Sequence, residues 1–186
     1  MPFVVLYDAN ALYGNAERDL LIRVARAGLV QAKWTDEILA EMADARLRNN
    51  PDLQKEKVER LCALMREAVA DCLVTGYEDL IENLKLPDPD DRHVLAAAIR
   101  AHAQVIVTAN VRDFPAEYLS QFDIEAKLPD DFVLDQLGIN DSAVFACLQQ
   151  IADTRERPPN TVPGILEELE RSGLVRSAAA LRSLMP

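Results

Sequence analysis

Carboxylates recur in this sequence at positions that suit metal-assisted chemistry. Asp8 closes the apolar run Phe3-Val4-Val5-Leu6-Tyr7. Asp88, Asp90 and Asp91 crowd the loop Leu86-Pro87-Asp88-Pro89-Asp90-Asp91, and Asp113 follows Val105-Ile106-Val107 within Thr108-Ala109-Asn110-Val111-Arg112-Asp113-Phe114. Glu37 and Glu41 stand at i and i+4, so they share one helix face. Several carboxylates in one cleft raise one another's pKa, and a divalent cation relieves that repulsion. Oxygen-only donors, with no cysteine or histidine pair beside them, select Mg2+ or Mn2+ over zinc. Such an ion activates water and stabilises charge on a phosphoryl group, so phosphodiester hydrolysis is the chemistry the cluster would serve. Each residue also has a plainer reading as a turn former, a helix cap or a solvated face. Their joint occurrence at the ends of expected strands favours the chemical reading.

The elements that must position these acids alternate between strand and helix. A continuous apolar run reads as a buried parallel strand, and Phe3–Tyr7 and Gln104–Thr108 both fit. Asp71–Gly76, containing Cys72-Leu73-Val74-Thr75, reads as another, and Phe122–Ala126 as an edge strand. Helices are expected over Glu17–Ala27, from an N-cap at Thr35 through Met42, over Leu53–Ala70, and over the alanine-rich Arg92–Ala101. Alternation of this kind gives a parallel sheet with helices on both faces, which binds ligands beyond the C-terminal strand ends. From Leu128-Pro129-Asp130-Asp131 onward strand signals cease. Helices are expected from Asp141 or Ser142 to Ala152, from a Thr161 cap to Ser172 with Gly173 as stop, and over Leu174–Leu184. The division is therefore residues 1–129 as an α/β domain and 130–186 as a small helical extension.

Composition narrows the class. The 186 residues carry 31 acidic against 20 basic side chains, a net charge of −11, and 49% are hydrophobic, so global disorder is excluded. No apolar run is long enough for a membrane helix. The opening MPFVVLYDAN has no basic segment and does not read as a signal peptide. Three widely spaced cysteines, Cys62, Cys72 and Cys147, suggest buried thiols and a cytoplasmic setting. Taken alone, the charge argues against nucleic acid. However, residues 77–92 hold six acids against two bases, and these surround the presumed metal site, so part of the excess is ligand charge.

Four stretches resemble the PIN-domain ribonucleases, and within them the VapC-type toxins of toxin–antitoxin systems: Val5-Leu6-Tyr7-Asp8-Ala9-Asn10; Trp34-Thr35-Asp36-Glu37-Ile38-Leu39-Ala40-Glu41; Asp88-Pro89-Asp90-Asp91-Arg92-His93-Val94-Leu95-Ala96-Ala97-Ala98; and Val107-Thr108-Ala109-Asn110-Val111-Arg112-Asp113-Phe114. The resemblance covers residues 3–127, and Leu128 to Asp135 looks like the start of the helical extension of one PIN subgroup. It implies a three-layer α/β/α fold and an acidic quartet carried over to Asp8, Glu41, Asp91 and Asp113. Asp8, Asp91 and Asp113, with Asn110 as helper, would hold Mg2+ or Mn2+. Glu37 competes with Glu41, and the crowded Asp88/Asp90/Asp91 loop leaves more than one candidate for the third acid. The resemblance further implies an RNA substrate, a cognate antitoxin protein and a homodimer.

Rival readings remain open at this point. An aspartate-based phosphatase or a receiver-like α/β protein also places acids at strand ends, though the first would want Asp-x-Asp where Asp8-Ala9-Asn10 stands. A catalytically inactive PIN-fold binding module is the other. His93 is a candidate general base, although a surface histidine at a helix start is the expected outcome. Trp34 is expected in the core or an interface rather than as a base-stacking platform. Arg46, Arg48, Lys55, Lys57, Arg60 and Arg66 are candidate RNA contacts, equally compatible with a solvated helix face.

Overall fold

The computed structural model describes residues 2–186. Four strands, β1 (Phe3–Tyr7), β2 (Val30–Lys33), β3 (Val105–Val107) and β4 (Glu125–Lys127), form one sheet in the order β2-β1-β3-β4. Every pairing is parallel, with Val5 opposite Ala32 on one side and opposite Val105 on the other. Val5, Leu6 and Tyr7 are consecutive, so they alternate between faces, and all three are buried. Both faces of β1 are therefore covered, which is the three-layer arrangement that an unbroken apolar strand demands. The chain leaves β1 toward β2 on one side and later returns to β3 on the other. The gap between the C-terminal ends of β1 and β3 is thus the point where the strand order reverses, where α/β sheets place ligands.

The helices are α1 (Asn15–Arg26), α2 (Asp36–Asn49), α3 (Lys55–Ala68), α4 (Glu78–Ile81), α5 (Arg92–Arg100), α6 (Ala116–Leu119), α7 (Pro129–Thr154), α8 (Val162–Arg171) and α9 (Val175–Arg182). Alanine at positions 96 to 98 lets α5 lie close on β1 and β3. Thr35 caps α2 as its residue type suggests, its hydroxyl accepting from the Ile38 amide at 2.9 Å. Thr161 does the same for α8 at Gly164, and Gly173 takes φ +100° to end that helix.

Two expectations need correction. Asp71–Gly76 is not a sheet strand. It makes a single parallel bridge, Leu73 to Trp34, because Asp71 (φ +55°) and Gly76 (φ +71°) both turn left-handed and leave too short an extended segment between them. The strand that does extend the sheet on this side is β2, whose Gln31 and Lys33 interrupt the apolar run expected of a parallel strand. The helix expected from Asp141 or Ser142 is present, with Asn140 (φ −156°) as its cap through the Ala143 amide, and a further helical stretch from Pro129 precedes the kink at that residue.

Residues 130–186 pack into the main core rather than beside it. Phe132 on α7 meets the ring of Tyr7 edge-on at 5.9 Å, and Tyr7 stacks on Trp34 at 6.2 Å. Leu148, Ile165 and Leu169 belong to the same continuous apolar cluster as Leu20 and Leu21. The three cysteines are buried free thiols. Among the described residues, no helix is long and apolar enough to cross a membrane.

Candidate active site

Asp8 is the first residue beyond β1, and its amide still donates to Val107 at the end of β3, 3.0 Å away. Its side chain is only 4% exposed. One carboxylate oxygen accepts from the Ala9 backbone amide at 2.8 Å, and the other accepts from the Thr108 hydroxyl at 2.8 Å and the Asn10 side-chain Nδ2 at 3.2 Å. Burial pushes the Asp8 carboxyl above its ordinary value, against the pull of the Thr108 and Ala9 hydrogen bonds. Asn10 also reaches across to the β3 side, where its side-chain oxygen accepts from the Ala109 amide at 2.8 Å. Thr108 and Asn10 were not singled out from the sequence. The available signal was position: Thr108 directly follows β3, and Asn10 lies two residues beyond Asp8 at the end of β1.

Asp91 sits at the head of α5, after a short 3-10 turn (Pro89–Asp91) that Asp88 caps through the Asp90 amide. Asp90 is exposed. The Asp91 carboxyl is pushed up to about 7, first by partial burial and then by the charges of Asp8, Asp88, Asp113 and Glu41. Asp113 ends the 3-10 turn Val111–Asp113, which follows Asn110. Asp8, Asn10, Tyr13, Glu41, Asp91 and Asn110 line one cavity of about 340 Å3. Asp113 does not line it but stands near enough to act on Asp91.

The two glutamates of α2 diverge. Glu41 lines the cavity, and its Oε1 lies 2.7 Å from His93 Nε2. Glu37 accepts instead from the Tyr77 hydroxyl at 3.0 Å and faces His93 Nδ1 at 3.6 Å. His93 is thus not the surface histidine expected at a helix start. It is 5% exposed and lies between two glutamates. Burial alone would lower its imidazolium pKa, but the hydrogen bond to Glu41 and the charges of Glu37 and Asp8 outweigh this and raise it. Trp34 is fully buried, as expected of a core residue. Of the basic candidates, Arg66 is tied to Asp36 at 2.7 Å, Lys55 to Glu59 at 3.6 Å, and Arg46 turns inward to the Tyr13 carbonyl at 2.8 Å.

The donor set fits a divalent cation by its charge. Among the described residues, no ion pair reaches Asp8, Asp91 or Asp113. Nor do three acidic, histidine or cysteine side chains converge there into a ready-made ligand group, as repulsion between uncompensated carboxylates dictates.

A family model described as "PIN domain" matches residues 4–112, more than half of the chain. The chain belongs to the PIN-domain family. A second model, described as "VapC50 C-terminal domain", matches residues 129–183. Among curated proteins, "Putative ribonuclease VapC50" of Mycobacterium tuberculosis is 41% identical over 111 residues, which is 60% of this chain and 64% of that relative's length. The match therefore spans just under two thirds of the relative. No solved structure matches the chain significantly.

Proposed function

We propose that this PIN-domain protein is a metal-dependent endoribonuclease, the toxin of a toxin–antitoxin pair. The observation that carries the reading is the cavity at the strand-order reversal, lined by Asp8, Glu41, Asp91 and Asn110, in which His93 pairs with Glu41 and, among the described residues, Asp8 and Asp91 have no ion pair. The name of the mycobacterial relative supports the ribonuclease class. Residues 1–129 would be the nuclease unit and 130–186 the helical extension.

Asp8, Asp91, Asp113 and Asn110 would hold Mg2+ or Mn2+. A cation held there would supply an acidified water and offset charge on the phosphodiester. Asp8 is fixed for this task by Thr108, Asn10 and the Ala9 amide. Glu41, oriented by His93, positions the attacking water, and its place in the cavity favours it over Glu37 for that task. The acidic cleft suits an antitoxin segment bearing arginine or lysine. Cytoplasmic residence and a homodimer complete the reading.

Expression with and without Asp91→Asn, scoring growth arrest and RNA cleavage together, tests it. The parent should arrest growth and cleave RNA in Mn2+ or Mg2+, and the variant should do neither. Arrest or cleavage that survives the substitution contradicts the proposal.

A further inference from the structure

The carboxylate cavity has a wall that metal chemistry does not use. Tyr13 lines it beside Asp8, Glu41, Asp91 and Asn49. This tyrosine is held from several directions. The Arg46 guanidinium lies over its ring, 5.8 Å from the centroid. The Tyr13 carbonyl accepts from Arg46 at 2.8 Å and from Arg18 at 3.3 Å. Its hydroxyl accepts from Asn49 at 3.2 Å and Asn50 at 3.5 Å. Arg18 is itself buried and donates to the Leu12 carbonyl and the Asn15 side chain, so the loop carrying Tyr13 is anchored at its base. Among the described residues neither arginine is in an ion pair, so both cations are devoted to holding this loop.

We propose that Tyr13 is a stacking platform for an unpaired RNA base flanking the scissile phosphate. This rests on the ribonuclease reading and adds a substrate-binding residue to it, Tyr13, which would hold the base next to the scissile phosphate. Arg46 lies over the ring, and Tyr13 lines the cavity, so a base entering the cavity would meet this tyrosine. A platform already immobilised loses little conformational entropy on binding. A neutral ring also grips the substrate without adding to the negative charge of the cavity, whereas each carboxylate repels phosphate. The cavity, about 340 Å3, lies near the small end of ligand sites, which suits one extruded nucleotide rather than a duplex. Stacking tolerates every base, so the platform sets strandedness rather than sequence.

The test uses the full chain with Mn2+ and a short fluorescein-labelled single-stranded RNA of mixed sequence. Tyr13→Leu should raise KM for cleavage about tenfold, the loss expected for one stacked base, with kcat near the parental value. Tyr13→Phe keeps the ring and should restore KM. In an Asp113→Asn background, where binding is read by anisotropy without cleavage, Tyr13→Leu should weaken the RNA to the same extent and leave its salt dependence unchanged, since no phosphate contact is lost. The same RNA made abasic should bind both chains equally. Parental KM in a folded Tyr13→Leu chain, or an equal loss on abasic RNA, overturns the platform. So does a variant that spares RNA but weakens an arginine-bearing peptide, which would assign the ring to a protein partner. A parent chain that leaves RNA intact in Mn2+ fails the ribonuclease reading instead, so the two failures are distinguishable.

Discussion

Asp91→Asn should stabilise the metal-free protein while abolishing the proposed RNA cleavage. The carboxyl rises from an ordinary 3.8 to about 7 because partial burial and four neighbouring acids disfavour its charge. Taken in full, a difference of that size is about 4 kcal/mol between ionised and neutral forms. The side chain is partly open to solvent, so screening reduces the figure to about 2 kcal/mol. Asp91 makes no capping hydrogen bond that asparagine would lose. The favourable field at the α5 N-terminus offsets about 0.5 kcal/mol. A net gain of about 1–2 kcal/mol is expected near pH 8 in EDTA, read as a shift of the urea midpoint at constant slope.

The sign of the pH dependence follows from the direction of the shift. The folded parent binds this proton more tightly than the unfolded chain does, so its stability falls as pH rises through the interval from about 4 to about 7. The advantage of Asp91→Asn should therefore grow over that interval and vanish near pH 4. Saturating Mn2+ should reverse the order, because a cation at a hundred times its Kd adds about 2.7 kcal/mol to the chain that binds it. A variant less stable than the parent in EDTA near pH 8, or a gain independent of pH, would refute the picture of an uncompensated acidic cluster.

Glu17, buried in α1 and pushed by burial to about 8, gives a similar effect away from the site. Glu17→Gln should match the parent near pH 5 and exceed it by at least about 1 kcal/mol near pH 9, and a constant difference across urea titrations would count against this. Thr35→Ala removes the buried cap of α2, and thermal melting should show a loss of about 1–2 kcal/mol. An unchanged melting temperature would mean that α2 does not depend on its cap.

The parts of the fold legible in the sequence were those where local chemistry and tertiary context agree. Phe3–Tyr7 and Val105–Val107 are apolar on both faces and lie at the centre of the sheet, so their pattern states their environment. Thr35 and Gly173 mark helix ends by their own hydrogen bonding and backbone freedom. β2 was hidden because an edge strand exposes every second residue, and four residues are too few to establish alternation. The helical stretch that opens α7 at Pro129 was hidden because the sequence marks the helix after it more clearly, with Asp141 or Ser142 as cap candidates, and the structure sets that cap at the neighbouring Asn140. His93 was misjudged because its burial depends on α2 crossing its helix, a contact between residues fifty-two apart.

The hydrogen bonds around Asp8 have a double consequence. A carboxylate at this depth is costly in an apolar setting, yet three donors converge on it from the two strand ends where the sheet reverses order. Asn10 and Thr108 also engage each other, and Asn10 holds the Ala109 amide, so the same atoms that orient Asp8 splice β1 to β3 at their C-terminal ends. Order at the site and order in the centre of the sheet are therefore one property. This explains how a chain with a net charge of −11 can carry a cavity of mutually repelling acids without opening it. Repulsion among Asp8, Asp91, Asp113 and Glu41 acts across separate elements, while the bonds that resist it lie within the β1–β3 junction. The cluster is held by the strands and not by attraction among its own members, which leaves its charge available to a cation.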